Sequence, residues 1–337
     1  MKNKKLNIFI LFIMIILVLY FTLKEDFSGI VSQLYKTNFM IFIVCIFIFN
    51  LSLLFKSLSL QNFLKDYNNN YSLKEAYKLT LISQFLNGIT PFQSGGQPFE
   101  IYLLKKQNVR ITDSTNALLK DFISFQIALI VIGIFSVILN LKLNILSNVS
   151  YLNWVIFAGF IINVGVLIFL FIFLFAKKTG KKIGDKIVNF VFNLKFMNRF
   201  VKARKRALDG IEHFYNASDS LKKSKYKIFI SAIFNLFYLI LLYLVPLFVF
   251  MSLGYNKISI LGSLVATSFV MIIGNFIPIP GATGGIEYSF MQLFGNFATG
   301  PILSSAMLLW RAVTYFLAMV IGAFVLLFNK EGKKAWE

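Results

Sequence analysis

One guanidinium stands far from any other charge. Arg311 lies in Met307-Leu-Leu-Trp-Arg-Ala-Val-Thr-Tyr315, flanked by long charge-free runs, and it is one of only five arginines in a lysine-rich chain. In hydrocarbon such a group is strongly disfavoured unless it faces a cavity or a partner. Its planar fork fits phosphate oxygens better than an ammonium does, so capture of a lipid phosphate is the chemistry it suits. The alternative is a structural ion pair with Asp121 or Glu287 that joins two parts of the fold.

Two short motifs share a spacing and supply the other candidates. Pro91-Phe-Gln-Ser-Gly95-Gly96 and Pro280-Gly-Ala-Thr-Gly284-Gly285 both read P-x-x-x-G-G, follow an Asn (Asn87, Asn275) and precede a glutamate, Glu100 or Glu287. Helices starting at Gly96 and Gly285 would turn partial positive charge toward whatever lies between the two tips, which suits a phosphate. Glu100 reads as a first-turn cap. Glu287 reads either as a cap or as a carboxylate that binds a headgroup amine or carries a proton. Asp121, beside Lys120, is either interfacial or a partner for a cation. Gln84, Asn87, Gln93, Gln97, Gln126, Asn275, Thr283 and Tyr315 are candidate hydrogen-bonding groups for a cavity wall.

The elements that must position these residues are membrane helices. Of 337 residues 58% are hydrophobic and 14% charged, and the mean hydropathy is +0.74, which sets soluble folds aside. Six runs are expected to span a bilayer: Leu6–Leu23, Phe39 to about Leu60, Ala117–Asn140, Tyr151–Ala176, Ile228–Leu253 and Ile302–Phe328. The first follows Lys2, Lys4 and Lys5 without a small-residue cleavage site, so it reads as an uncleaved span with its N-terminus inside. Residues 76–106 and 259–297 are apolar but broken by the Pro/Gly motifs, so they read as two re-entrant helical hairpins; if each crosses twice, the crossings number up to eight. The alternative is that both clusters are plain turns outside the membrane.

Charge orients this arrangement. With both hairpins returning to their own side, 28 Lys and Arg fall inside and four outside, at Lys24, Lys36, Lys142 and Lys257; Lys56 is counted in the inner loop. That bias places both termini in the cytosol, and the net charge of +20 needs no nucleic acid to explain it. The basic stretch 177–227 reads as a solvated cytosolic connector or an interfacial helix on an anionic leaflet. Around it, segments 39–140 and 228–328 form an expected inverted repeat within one polytopic domain: span, broken hairpin, then a span carrying Asp121 or Arg311. Broken helices in inverted repeats are a transporter architecture with the ligand near the bilayer midplane.

Composition narrows the chemistry further. With one cysteine, Cys45, and one histidine, His213, there is no basis for a disulfide framework, a Cys/His metal cluster or a His-based triad. No P-loop is present. Neither a cofactor, a metal nor a catalytic residue is expected.

The stretch from Asn87 to Glu100, the stretch Ile277-Pro-Ile-Pro-Gly-Ala-Thr-Gly-Gly-Ile-Glu287 and the later Leu-Trp-Arg311 together resemble the membrane region of lysylphosphatidylglycerol synthases, a flippase-like family, over about residues 5–330. Departures are Gln97-Pro98, where relatives place an acid sooner, and Lys120-Asp121, where relatives tend to have an acid followed by Arg. In full-length relatives a cytosolic aminoacyltransferase domain follows. This chain stops nine residues after its last expected span, so lysyl transfer is not expected of it. The resemblance implies the family's other task in a bacterial cytoplasmic membrane, moving an anionic or aminoacylated phospholipid such as (lysyl-)phosphatidylglycerol between leaflets, which in relatives contributes to resistance against cationic antimicrobial peptides. The alternative is a membrane scaffold for a separately encoded lipid-modifying enzyme. The headgroup residues it implies are Arg311, Glu287, Gly284, Gly285, Thr283, Asn275, Gly95, Gly96, Gln97, Glu100, Asp121 and Tyr315.

Overall fold

Backbone polar groups in apolar surroundings must be satisfied within their own segment, which selects helices. In the computed structural model, residues 27–149, 151–193, 204, 208–209, 211–212 and 225–328 are described, and their regular structure is helical. The expected first span, His213 and Trp336 lie outside these residues. Five helical stretches are long and apolar enough to cross a bilayer, and they belong to a multi-pass membrane protein. These are α2 (Phe39–Leu64), α5 (Ile111–Leu143), α6 (Tyr151–Phe175), α8 (Lys225–Ser252) and a last span from Gly300 to Phe328.

The last span is not one uniform helix. It runs as α11 (Gly300–Arg311), a π-helical segment (Ala312–Leu317) and α12 (Ala318–Phe328). π segments widen a turn by one residue and often mark functional positions. A short helix that the sequence did not suggest, α1 (Phe27–Tyr35), buries Ile30 against α11, where Ser305 Oγ donates to the Ile30 carbonyl at 3.4 Å.

Both broken stretches are helical hairpins. The first is α3 (Leu73–Ile89), a 3-10 turn (Pro91–Gln93) and α4 (Gly96–Lys106); the second is α9 (Ile260–Gly274), a 3-10 turn (Pro280–Ala282) and α10 (Gly285–Phe294). The longest of these arms has 17 residues, about 25 Å at 1.5 Å per residue, which is less than a hydrocarbon core of about 30 Å. Capping sets where the long arms start. Ser72 and Glu75 form a reciprocal capping box on α3, and Ser259 accepts from the Gly262 N–H on α9 at 3.0 Å. Beyond α6, α7 (Lys177–Phe192) carries the start of the basic connector as a strongly amphipathic helix.

Packing centres on α2 against α8, with α5 laid over both. Each hairpin then docks on a distant span: α3 packs on α12, and α9 packs on α5. The apolar core falls into two clusters, one containing Phe49, Leu53, Leu129 and Leu239 and the other containing Leu60, Phe63, Leu118 and Ile228. Between them, on α2, α5 and α8, sits a buried polar layer that includes Ser57, Ser59, Asp121, Ser124, Ser231 and Asn235.

Candidate functional site

The two proline turns have the same backbone. Thr90 (φ −115, ψ 146) and Ile279 (φ −106, ψ 144) are extended, each is followed by Pro, and then Phe92 (φ 53, ψ 18) and Gly281 (φ 64, ψ 12) enter the left-handed region. The next residues, Gln93 and Ala282, share a φ of 52. The turns differ in what lies above them. Phe92 is 60% exposed, whereas a Cβ on Gly281 would collide with Cε2, Cζ and Oη of Tyr315. Proline removes an N–H and stops the preceding helix, so both hairpins bend at the same place for the same reason. The two turns pack directly against each other, so the tips meet.

Arg311 reaches this junction from the last span. Its Nε lies 2.7 Å from Glu287 Oε1, close enough for a strong ion pair though not aligned as a hydrogen bond. Nη2 donates to the Gly281 carbonyl at 3.1 Å, and the guanidinium stacks 4.1 Å from the Tyr315 ring centre. The Tyr315 hydroxyl donates to the Gly88 carbonyl at 3.0 Å. One turn of the last span therefore grips both hairpins, the second through Arg311 and the first through Tyr315. The second oxygen of Glu287, Oε2, accepts from the Gly284 N–H at 2.6 Å and so caps α10. Glu287 is thus at once a helix cap, as one of its readings had it, and the ion-pair partner that was the alternative reading of Arg311.

A cavity with a mixed polar and apolar lining lies beside this cluster. Hairpin one lines it with Gln84, Asn87 and Gln93, hairpin two with Asn275, and the last span with Arg311 and Tyr315. Phe125 and Tyr238 close one wall, with ring centres 6.3 Å apart. Behind Phe125, with Nζ 5.1 Å from the ring centre, is Lys56.

Lys56 is no loop residue. Helix α2 extends past it to Leu64, and Lys56 Nζ contacts Asp121 Oδ2 at 2.7 Å and Asn235 Oδ1 at 3.2 Å. Asp121 Oδ1 accepts from Ser59 Oγ, and Asn235 Nδ2 donates to Ser59 Oγ at 2.7 Å. Asp121 is thus not the partner of Arg311; it is the buried counter-ion of Lys56 that joins α2, α5 and α8. Lys120 is fully buried next to it on the sequence, 3.9 Å from Asp66.

The remaining expectations divide. Glu100 does not cap α4: it lies a full turn past the helix start and accepts from Ser83 Oγ. The cap is Asn87, whose Oδ1 accepts from the Gly96 N–H at 2.8 Å, with Thr90 Oγ1 taking the Gly95 N–H at 2.9 Å. At each hairpin helix start at least one N–H is thus taken by a side chain of the same hairpin. Gln97 is exposed and Gln126 is buried, and neither lines the cavity. Thr283 turns its hydroxyl to the Pro280 carbonyl at 2.9 Å. Arg311, Glu287, Thr283, Gly284, Gly285, Asn275 and Tyr315 converge around the second tip, Gly95 and Gly96 sit at the first, and Glu100 and Asp121 lie apart from the junction. Sequence reasoning missed Lys56, Asn235 and Trp310. The first two had a signal, since Lys56-Ser-Leu-Ser59 and Asn235 are polar interruptions inside otherwise apolar spans.

No curated protein matched the chain. A family model described as the lysylphosphatidylglycerol synthase TM region matches residues 7–322, which takes in both hairpins, the Lys56–Asp121 pair and Arg311. The chain belongs to the lysylphosphatidylglycerol synthase transmembrane-region family.

Proposed function

We propose that the protein translocates a phospholipid between leaflets, with an anionic or aminoacylated lipid such as (lysyl-)phosphatidylglycerol as its substrate. Membership of the family supports a membrane role in lipid handling. The observation that carries the finer reading is a buried arginine, 5% exposed, held where two broken-helix tips meet beside a cavity into which Gln84, Asn87, Gln93 and Asn275 also turn. Irregular backbone in a membrane is tolerated against protein or a water-filled cavity, and an arginine there is a natural ligand for phosphate. The headgroup enters the cavity and its tails stay in the bilayer.

The reciprocal docking of hairpins favours an inverted repeat, residues 39–140 and 228–328. The hairpin of each half packs on the final span of the other, α3 on α12 and α9 on α5, while the two leading spans α2 and α8 pair at the centre. An exchange of this kind is what a pseudo-two-fold axis in the membrane plane produces. Rocking of one half against the other then exposes the cavity to each leaflet in turn, in a bacterial cytoplasmic membrane with both termini inside.

The test is lipid movement in proteoliposomes carrying fluorescent phosphatidylglycerol or lysyl-phosphatidylglycerol, read with a membrane-impermeant quencher. The wild type is expected to expose inner-leaflet lipid and Arg311→Ala to lose at least about 90% of that rate, the loss of one charge-assisted contact being worth more than a decade. Equal rates in folded wild type, folded mutant and empty vesicles, with a proton gradient also imposed, refute translocation.

A further inference from the structure

The place where a ligand phosphate would bind is already filled by a carboxylate. Glu287 bridges the two groups that suit an anion, the Arg311 guanidinium through Oε1 at 2.7 Å and the Gly284 N–H at the start of α10 through Oε2 at 2.6 Å. A second observation points to a missing ligand. Trp310, the residue before Arg311, lines the same cavity, is 1% exposed, and keeps a buried Nε1–H with no hydrogen-bond partner. Buried donors of this kind are rarely left unmade without a reason.

We propose that Glu287 is an internal competitor for the phosphodiester anion, so that anion and proton enter the site together. This rests on the reading of Arg311 as a phosphate ligand. The argument is charge balance in a buried site. Arg311 and Glu287 together are neutral, and both are at least nine-tenths buried. Adding a phosphodiester, one negative charge, to that pair would leave a net buried anion, which is strongly disfavoured. One proton taken from water by Glu287 restores neutrality, and the protonated carboxyl no longer competes for the guanidinium. When the phosphate leaves, the proton leaves and the ion pair re-forms.

Among the described residues, no other group nearby can balance the charge. The last span brings only Arg311 and Tyr315 to Glu287; α9 and the Pro280 turn carry no ionisable side chain. α8 offers Tyr238 and Tyr243 to the cavity wall, and hairpin one offers only neutral Gln84, Asn87 and Gln93. The Lys56–Asp121 pair lies behind Phe125 and is itself neutral.

The experiment is calorimetric titration of the full chain in neutral detergent with short-chain phosphatidylglycerol, in two buffers of different ionisation enthalpy, with inorganic phosphate as a parallel arm. Wild type is expected to take up about one proton per lipid bound and to bind more weakly as pH rises. Glu287→Gln keeps a carbonyl oxygen for the Gly284 N–H but leaves Arg311 without its counter-ion, so its fold is checked by circular dichroism and size exclusion before titration; folded, it should bind at least about tenfold more tightly, with no proton uptake. Glu287→Asp keeps the charge and should keep the uptake. Wild-type binding without proton uptake, or Glu287→Gln binding no better than wild type, overturns the proposal while leaving the headgroup site intact. Absence of binding in all variants overturns both. Proton-linked binding of inorganic phosphate with none of lipid keeps the coupling and removes the lipid reading.

Discussion

Gly281→Ala is expected to destabilise the protein by about 3–5 kcal/mol, because three contributions fall on one methyl group. An L-residue at φ 64 costs about 1–2 kcal/mol. The added Cβ also drives into the ring of Tyr315. If the ring moves aside, the bond from its hydroxyl to the Gly88 carbonyl is lost, about 1 kcal/mol plus the penalty of a buried unsatisfied oxygen. The stacking of Arg311 on that ring goes with it, about 0.5–2 kcal/mol. Unfolding in mixed micelles measures the sum, and lipid translocation should fall in parallel because both hairpins lose their grip on the last span. Phe92→Ala is the control. Phe92 holds the equivalent left-handed position in hairpin one but is 60% exposed, so the backbone strain is already present and the change should stay under about 1 kcal/mol. A loss below about 1 kcal/mol for Gly281→Ala, or equal losses at the two positions, refutes the idea that overhead packing decides the glycine.

Two further outcomes are expected. Asp121→Ala should destabilise by about 2–3 kcal/mol, less than a fully buried pair because the Lys56 side chain retains 22% exposure; combining it with Lys56→Met should recover most of the loss, and strict additivity in the double-mutant cycle would rule out a direct pair. Cysteines at Gln93 and Ala282, in a Cys45→Ser background, should be joined by a short bismaleimide, since the two turns pack together; no product under conditions that label each cysteine singly would separate the tips.

The helices and their interruptions were legible in sequence because length, apolar composition and proline act locally. The expected spans from Phe39 onward correspond to observed ones with ends shifted by several residues, most at α5, whose polar first turns hide its start at Ile111. Pairings were less legible, because they depend on which helix faces which. Counting Lys56 as a loop residue was reasonable for a charge, yet the carboxylate that draws it into the span lies 65 residues on. Glu100 failed as a cap because its register relative to Gly96 differs from that of Glu287 relative to Gly285, and Asn87, nine residues before Gly96, does the capping instead. The π segment after Arg311 and helix α1 left no clear trace in composition.

The grip of one helical turn on both hairpins has a thermodynamic corollary. Arg311 and Tyr315 hold carbonyl oxygens of different hairpins, Gly281 and Gly88, while stacked on each other. Neither hairpin can withdraw from the last span without weakening the partner bond, so the two are not independent gates in series. They share a coupling free energy of the usual size for linked sites, about 1–3 kcal/mol. With that coupling, states in which one hairpin is released and the other held are sparsely populated, so under the proposed translocation the same stacked pair would suppress a leak open to both leaflets.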